Sequence, residues 1–512
     1  MTVLDAGPLR APRQSLGLLP TWTLAVSVAV PVLARLALIA RPPRPDEGGF
    51  LLVGAQWSGA GRSLYGDYWV DRPPLLITIF RTASSLGGLT ALRLIGCLAV
   101  ALVVIGSARV AGLLGGPAAA RWAAVAAAAL CLSPWLGGYE VDGELLAAPL
   151  VLAGIAAGIH AVRADRERPA VAWAAIAGVC GIGAVLVKQN IADAAVFGVL
   201  AVAISWWCGR LTARRSAAIA AGGVAGALAA ALVVAGWTSW HGTSLTGVLD
   251  AMYPFRLRAG KVLAEGGRQH STARLISLVG VALSSGIALL LLPIVGDTVL
   301  RRRRDPLWWA LIGTMVFAGV SVLLGGTYWH HYLVELVAPV SVAAGVVAAR
   351  HGRVARVLIA YAVVAAMVGW GMGLTAPPGD SAQSVGSAIA AAAKPGDTIV
   401  NAWGGANLTY ASGLPSPYVH LWSLPVKTLD PHLAQLDTIL TGPSAPTWFV
   451  TRRHLRSWGL DTSGTRAILS RDYHRVGAVC GRRIYLRDGI DRPAPRVVGG
   501  CHGSGGLRRV AP

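Results

Sequence analysis

The chain has 512 residues, of which 54% are apolar and 13% charged, and its mean hydropathy is +0.57. Soluble domains carry about 25% charged residues, so most of this chain is expected in lipid. The formal charge of +21 does not imply a nucleic-acid partner, because its arginines cluster in short loops between apolar runs, as cytoplasmic loops of membrane proteins do.

Those clusters are RADRER (163–168), GRLTARR (209–215), RRRR (301–304) and RHGRVAR (350–356). With the N-terminus (Arg10, Arg13) cytoplasmic, the first apolar run is expected to span near 22–40. No small-residue cleavage site follows it, so it reads as a retained span. A long outer loop, 41–89, comes next. Its segment PPLLITIFRTASSLGG (73–88) is too short and too charged to cross, and is expected as an interfacial or re-entrant helix with proline in its first turn.

Further spans are expected near 90–113, 118–137, 144–162, 170–187, 191–208, 217–237, 274–296, 306–325, 332–349 and 357–374, about eleven in all. Every arginine cluster then falls on one face, and a second long outer loop covers 238–273. GIGAVLVK (181–188) lacks the ending of a phosphate loop and lies within a span, so its glycines are expected to let helices approach closely.

Residues 1–374 thus form a transmembrane module. Beyond the linker APPGDSAQ, residues 375–512 mix polar with apolar positions, with strands expected at 397–403, 446–453 and 481–488 and helices at 381–394 and 431–440. This segment is long enough to bury a core of its own. The expected fold is an α-helical polytopic membrane protein with a small extracytoplasmic α/β domain at its C-terminus. Cys480 and Cys501 both lie in that domain, where the setting permits a disulfide; their pairing stays open. The usage of Ala, Gly, Val and Arg, with Lys scarce, fits a high-GC bacterial source and its cytoplasmic membrane.

On this threading Asp46, Glu47, Asp67, Asp71, Glu140, Asp142, Glu144, Asp193, Asp250, Glu265 and Glu335 lie outside or near outer span ends, and no carboxylate sits mid-span. Ion-coupled transporters place ionisable groups near the midplane. Acids and cations gathered at one rim suit an enzyme of the outer leaflet instead. The densest stretch begins RPDEGGF (44–50) and runs to Asp71-Arg72-Pro73-Pro74. A carboxylate there can take a proton from an attacking hydroxyl, and fixed cations can stabilise charge on a departing phosphate. Aspartate before a new helix is also a normal N-cap, and Asp46 and Asp142 each admit both readings.

This succession resembles the bacterial GT-C glycosyltransferases of the dolichyl-phosphate-mannose-type superfamily, which includes protein O-mannosyltransferases and lipid A aminoarabinose transferases. PDEGGFLLVGAQWSGAGRSLYGDYWVDRPPLL resembles the family's first outer loop, with an Asp-Glu pair and then an acidic-basic-Pro-Pro-Leu motif at Asp71-Arg72-Pro73-Pro74-Leu75. YEVDGELLAAPLVL (139–152) resembles its second acidic loop, LVKQN (186–190) its Lys motif, and YWHHYLVELVAPVSVAAG (328–345) its late His/Tyr segment. The resemblance runs over roughly residues 20–350 in order.

The resemblance implies inverting transfer of a sugar, mannose or a pentose, from a polyprenyl-phosphate donor to a hydroxyl of a glycolipid, polysaccharide or protein in the cell envelope. Asp46 matches the base, and Asp142 a second site carboxylate that Glu140 or Glu144 can replace. Glu47, about 100° from Asp46 on a helix, is expected on the acceptor or on neighbouring backbone. Arg72 and Lys188 match the phosphate-side cations, with His330, His331 and Tyr332 as donor contacts. Arg256, Arg258 and Lys261 in YPFRLRAGK (253–261) fit either a lipid phosphate or, slightly better, an interfacial belt. No cofactor is required. His331 and Glu335 share a helical face, yet two ligands are weak support for a divalent metal. The other classes are a flippase or transporter of a lipid-linked saccharide and a non-catalytic envelope-assembly subunit.

Overall fold

A computed structural model describes residues 21–300, 305–350, 352–375, 381–403, 405–452, 455–497 and 501. The RRRR cluster at 301–304 lies outside them. Among the described residues, fifteen α-helices precede residue 376. α1 (Thr21–Ala37) leads into α2 (Pro45–Ala55) and α3 (Pro74–Leu86) of the first loop. α4 (Leu89–Leu132), α5 (Gly143–Arg163), α6 (Glu167–Val187), α7 (Asp193–Trp207) and α8 (Ala213–Trp240) follow. α9 (Leu245–Met252) and α10 (Pro254–Gly266) fill the second long loop. Then come α11 (Arg268–Ser284), α12 (Ile287–Leu300), α13 (Pro306–Leu324), α14 (Val337–Ala349) and α15 (Arg353–Thr375).

Proline begins α2, α3, α10 and α13, where its missing N–H costs nothing and its φ is already helical. The segment expected at the interface is α3, which buries Leu76, Ile77, Phe80 and Ala83 at the spacing of one helical face.

Each expected span falls on helix, but the number eleven is not reached by helices of membrane-crossing length. Seven among the described residues are long and apolar enough, and α11 with α12, bent by 69° between them, makes an eighth. α1 and α7 are shorter, at 17 and 15 residues. Two expected spans form the two limbs of α4, a 44-residue run broken at Gly116, whose φ of 79° suits glycine. Val104 and Ala108 share a buried cluster with Ala120, Ala124 and Ala127, although a straight helix would hold Ala108 and Ala120 about 18 Å apart. The run is therefore a hairpin turned at Gly116-Pro117, with Leu24 and Val28 of α1 packed against it.

Successive connections alternate between two ends of the bundle. At one end Arg163 donates to the Leu113 carbonyl at 2.6 Å, among the arginine-rich turns. At the other, Arg35 donates to the Glu140 carbonyl at 3.0 Å and Asn190 to Glu335 at 2.8 Å. The first loop, the turn before α5, the turn before α7 and the segment before α14 all meet there.

The C-terminal segment stands on that second end. It holds α16 (Ser381–Ala392), β1 (Ile399–Asn401), α17 (Ala406–Ser412), α18 (Ser423–Leu429) and α19 (Ala434–Thr441). β2 (Trp448–Arg452), α20 (Ser463–Asp472), β3 (Tyr473–Val479) and β4 (Arg482–Arg487) complete it. The sheet order is β1-β2-β4-β3, with β1 parallel to β2 and the other pairs antiparallel. Alternate residues point to opposite faces: Ile399, Trp448 and Val450 pack under α16, while Val400 and Phe449 pack with Leu436, Ile468 and Leu469. Cys480 and Cys501 are disulfide-bonded, with Cα atoms 5.2 Å apart.

Cys208 is exposed beyond α7 at the arginine-rich end, and Ser444 is exposed in the C-terminal segment. In sealed vesicles, a membrane-impermeant maleimide is expected to label Cys208 and a Ser444→Cys variant from opposite sides. Labelling of both from one side would contradict the arrangement.

Candidate active site

α2 starts at Pro45 with Arg44 in the N-cap position, so Asp46 lies inside the first turn and does not cap the helix. It is half-buried and accepts a hydrogen bond on Oδ1 from the Trp422 indole at 2.9 Å. Among the described residues its Oδ2 accepts none. Glu47 points the other way and is 1% exposed. Its carboxylate meets Arg93 at 3.0 Å and accepts the backbone N–H of Arg44 at 2.9 Å and of Val141 at 3.3 Å. Arg93 also donates to the carbonyls of Leu38, Ile39, Arg41 and Pro42. Glu47 is thus a clamp on neighbouring backbone, with no capacity left for a substrate.

Asp71, just before α3 in the first loop, is the hub of two cations. Its oxygens meet Arg72 at 2.8 Å and Arg256 of α10 at 2.7 Å, and its carbonyl accepts from Gln189 at 3.1 Å. The Arg72 guanidinium lies 5.5 Å over the Phe50 ring. Burial disfavours the Arg72 charge, but Asp71, Asp46, Tyr332 and Glu144 outweigh it and hold the group above its ordinary value. Arg72 therefore ties the first loop electrically to the two segments described next.

Asp142 is the N-cap of α5, accepting from the Leu145 N–H at 2.9 Å. Two residues on, Glu144 is buried and ion-paired with Lys188, which closes the C-terminal end of α6. His331 Nε2 lies 3.9 Å from the same carboxylate, and the Lys188 ammonium sits 4.7 Å from the centre of the Tyr332 ring. Tyr332 in turn bonds to Thr327 at 2.7 Å. His330 is turned outward, 2.9 Å from Ser277. Glu335 is engaged with Asn190 at 2.8 Å, so His331 and Glu335 diverge despite their spacing. Among the described residues no three His, Cys, Asp or Glu side chains gather as a metal site would.

The structure therefore brings Asp46, Arg72, Asp142, Lys188, His331 and Tyr332 to one rim, places Glu47 beneath it and leaves His330 outside it. Arg256, read in the sequence as more at home in an interfacial belt, joins the rim through Asp71. Glu144, considered as a substitute for Asp142, holds Lys188. Trp422 carried no signal in the sequence, because it lies 376 residues from Asp46 in the chain.

This chain has the GT-C fold. It superposes on ArnT from Cupriavidus metallidurans, bound to undecaprenyl phosphate, with a TM-score of 0.61 and 14% identity over 91% of this chain and 98% of that one. The apo structure of the same ArnT gives the same values. The oligosaccharyltransferase of Archaeoglobus fulgidus, tethered with an acceptor peptide containing the NVT sequon, matches with a TM-score of 0.50 and 12% identity over 89% and 72% of the two chains. No family model and no curated protein matches the sequence.

Replacing Arg93 with leucine would leave the Glu47 carboxylate buried and unpaired, at a cost of about 3–5 kcal/mol. The detergent-purified Arg93→Leu protein is expected to melt well below wild type. An unchanged melting midpoint would show that the pair does not anchor the turn.

Proposed function

We propose that this protein is an inverting glycosyltransferase that moves a sugar from a polyprenyl-phosphate donor to a hydroxyl acceptor, at the outer face of a bacterial cytoplasmic membrane. The observation that carries the reading is the pairing, at one rim, of a half-exposed carboxylate that is neither a cap nor an ion-pair partner with cations held at fixed positions. That rim belongs to a fold shared with an ArnT solved with undecaprenyl phosphate bound. The arginine-rich turns at the opposite end favour the cytoplasm, which supports an outward-facing site.

In this reading Asp46 accepts the proton of the acceptor hydroxyl through its unoccupied oxygen. The acceptor oxygen forms the new bond to the anomeric carbon as the bond from that carbon to the phosphate oxygen breaks, which inverts the centre. Negative charge accumulates on the leaving polyprenyl phosphate. Arg72 and Arg256, already gathered by Asp71, and Lys188 stand ready to offset it without reorganising. Asp142 fixes the start of α5 and, through it, Glu144. Glu144 aims Lys188, and Tyr332 supports the ammonium from below.

Arg256, Arg72 and Asp71 together carry one net positive charge, two guanidinium groups against one carboxylate, which suits a phosphate diester. The acceptor is any alcohol that reaches Asp46; the basic C-terminal segment, with Arg452, Arg456, Arg482, Arg483 and Arg487, fits an anionic one.

Asp46→Asn in purified protein is expected to lower sugar transfer by about 10²-fold or more while undecaprenyl phosphate binding stays near wild type. Wild-type protein that moved a lipid-linked saccharide across vesicles with no transfer to any acceptor would sink the enzyme reading.

A further inference from the structure

The C-terminal segment does more than stand over the bundle. Its indole at Trp422 reaches down to Asp46 Oδ1, 2.9 Å away, while the ring packs 5.2 Å from Phe50 one turn further along α2. The approach is close because the two residues after Glu47 are glycines. A Cβ on Gly49 would run into the Trp422 ring and stand 2.8 Å from the Ala406 Cβ, and one on Gly48 would stand 2.9 Å from the Asn407 Cα. Real Cβ atoms are not found at such distances, so only bare backbone admits this contact.

The docking has further ties along the first loop. Asn407 donates to the Pro43 carbonyl at 3.0 Å, the Ser416 N–H to the Tyr68 hydroxyl at 2.9 Å, and the Trp69 N–H to the Val419 carbonyl at 3.0 Å. His420, pushed down to about 4 by burial, packs as a neutral ring edge-on to Trp69. These ties bracket Asp46 on both sides and fix the indole over it.

We infer that Trp422 is a positioning residue for Asp46, so that the C-terminal segment completes the active site of the membrane module. This rests on the assignment of Asp46 as the base. An aspartate side chain turns about two bonds, and a half-exposed one samples several rotamers. The indole N–H, a donor only, binds one oxygen and leaves the other to face the acceptor. A base held in one pose acts on a hydroxyl in line with the anomeric carbon, whereas a base displaced by about 1 Å can lose about 10²-fold in rate.

The test is steady-state kinetics of the full-length protein with a polyprenyl-phosphate sugar. Trp422→Phe keeps the ring against Phe50 and deletes the donor. It is expected to lower kcat by about 10–100-fold, with the donor KM and the melting midpoint unchanged. Gly49→Ala, whose Cβ would push the indole away from Asp46, is expected to lower kcat with the donor KM unchanged, at a lowered melting midpoint. A Trp422→Phe protein with wild-type kcat, or one whose kcat, KM and melting midpoint all change together, would overturn the inference while leaving Asp46→Asn to test the function. An inactive wild type would instead remove the reading beneath both.

Discussion

The ion pair between Glu47 and Arg93 determines where the rest of the site can be. Arg93 belongs to the first limb of the α4 hairpin, and its guanidinium gathers four carbonyls of the turn between α1 and α2 along with the Glu47 carboxylate. An arginine has five donors in a rigid fork, and here that fork holds an irregular stretch of backbone at the edge of a lipid-facing bundle. Unpaired carbonyls at that depth would be costly. Glu47 also takes the Val141 N–H, which couples the first loop to the turn before α5. The two acidic loops are thereby held to each other by one buried carboxylate, and Asp46 and Asp142 inherit their positions from it.

Charge at the rim follows one pattern. Each cation is aimed by a carboxylate that is itself fixed by local structure: Lys188 by Glu144 in the first turn of α5, Arg72 and Arg256 by Asp71 just before α3. Desolvating such groups costs several kcal/mol per ion, so the pairs are weak evidence for stability. What they supply is orientation, since each cation is held in one direction by its carboxylate, as the proposed stabilisation of a leaving phosphate requires. Asp46 stands apart because it touches a neutral indole and no cation within ion-pair distance.

The membrane module was largely legible because lipid imposes its own grammar: apolar runs of span length and arginine clusters on alternate connections. The count was less legible, since hydropathy cannot tell a bent pair such as α11 and α12 from one span. The gathering of Asp46, Arg72 and Lys188 at one rim was legible by order along the chain. Arg256 was harder to place, because an arginine among aromatics near a membrane has a second, interfacial explanation. In the C-terminal segment the expected strands and helices map to β1, β2, β4, α16 and α19, while α17, α18, α20 and β3 escaped. The β3 residues Tyr473–Val479 contain Gly477 and a register shift between Arg475 and Gly477, which breaks the alternation that marks a strand. Trp422 is a different case, a contact that no local pattern encodes.

The adjacency of Asp46 and Glu47 acquires a physical meaning from these contacts. Successive residues on a helix point about 100° apart, so one turn can send one carboxylate into the bundle and the next toward the rim. Glu47 uses the inward direction to tie down the turn, and Asp46 uses the outward one. The glycines that follow leave bare backbone for the C-terminal segment to rest on, and it is that contact which brings Trp422 within reach. Were the order reversed, the buried position would take the shorter side chain and the rim the longer, more mobile one. The inward carboxylate would then fall short of Arg93 by about one methylene, and the outward one would carry one more rotatable bond to be held beneath Trp422.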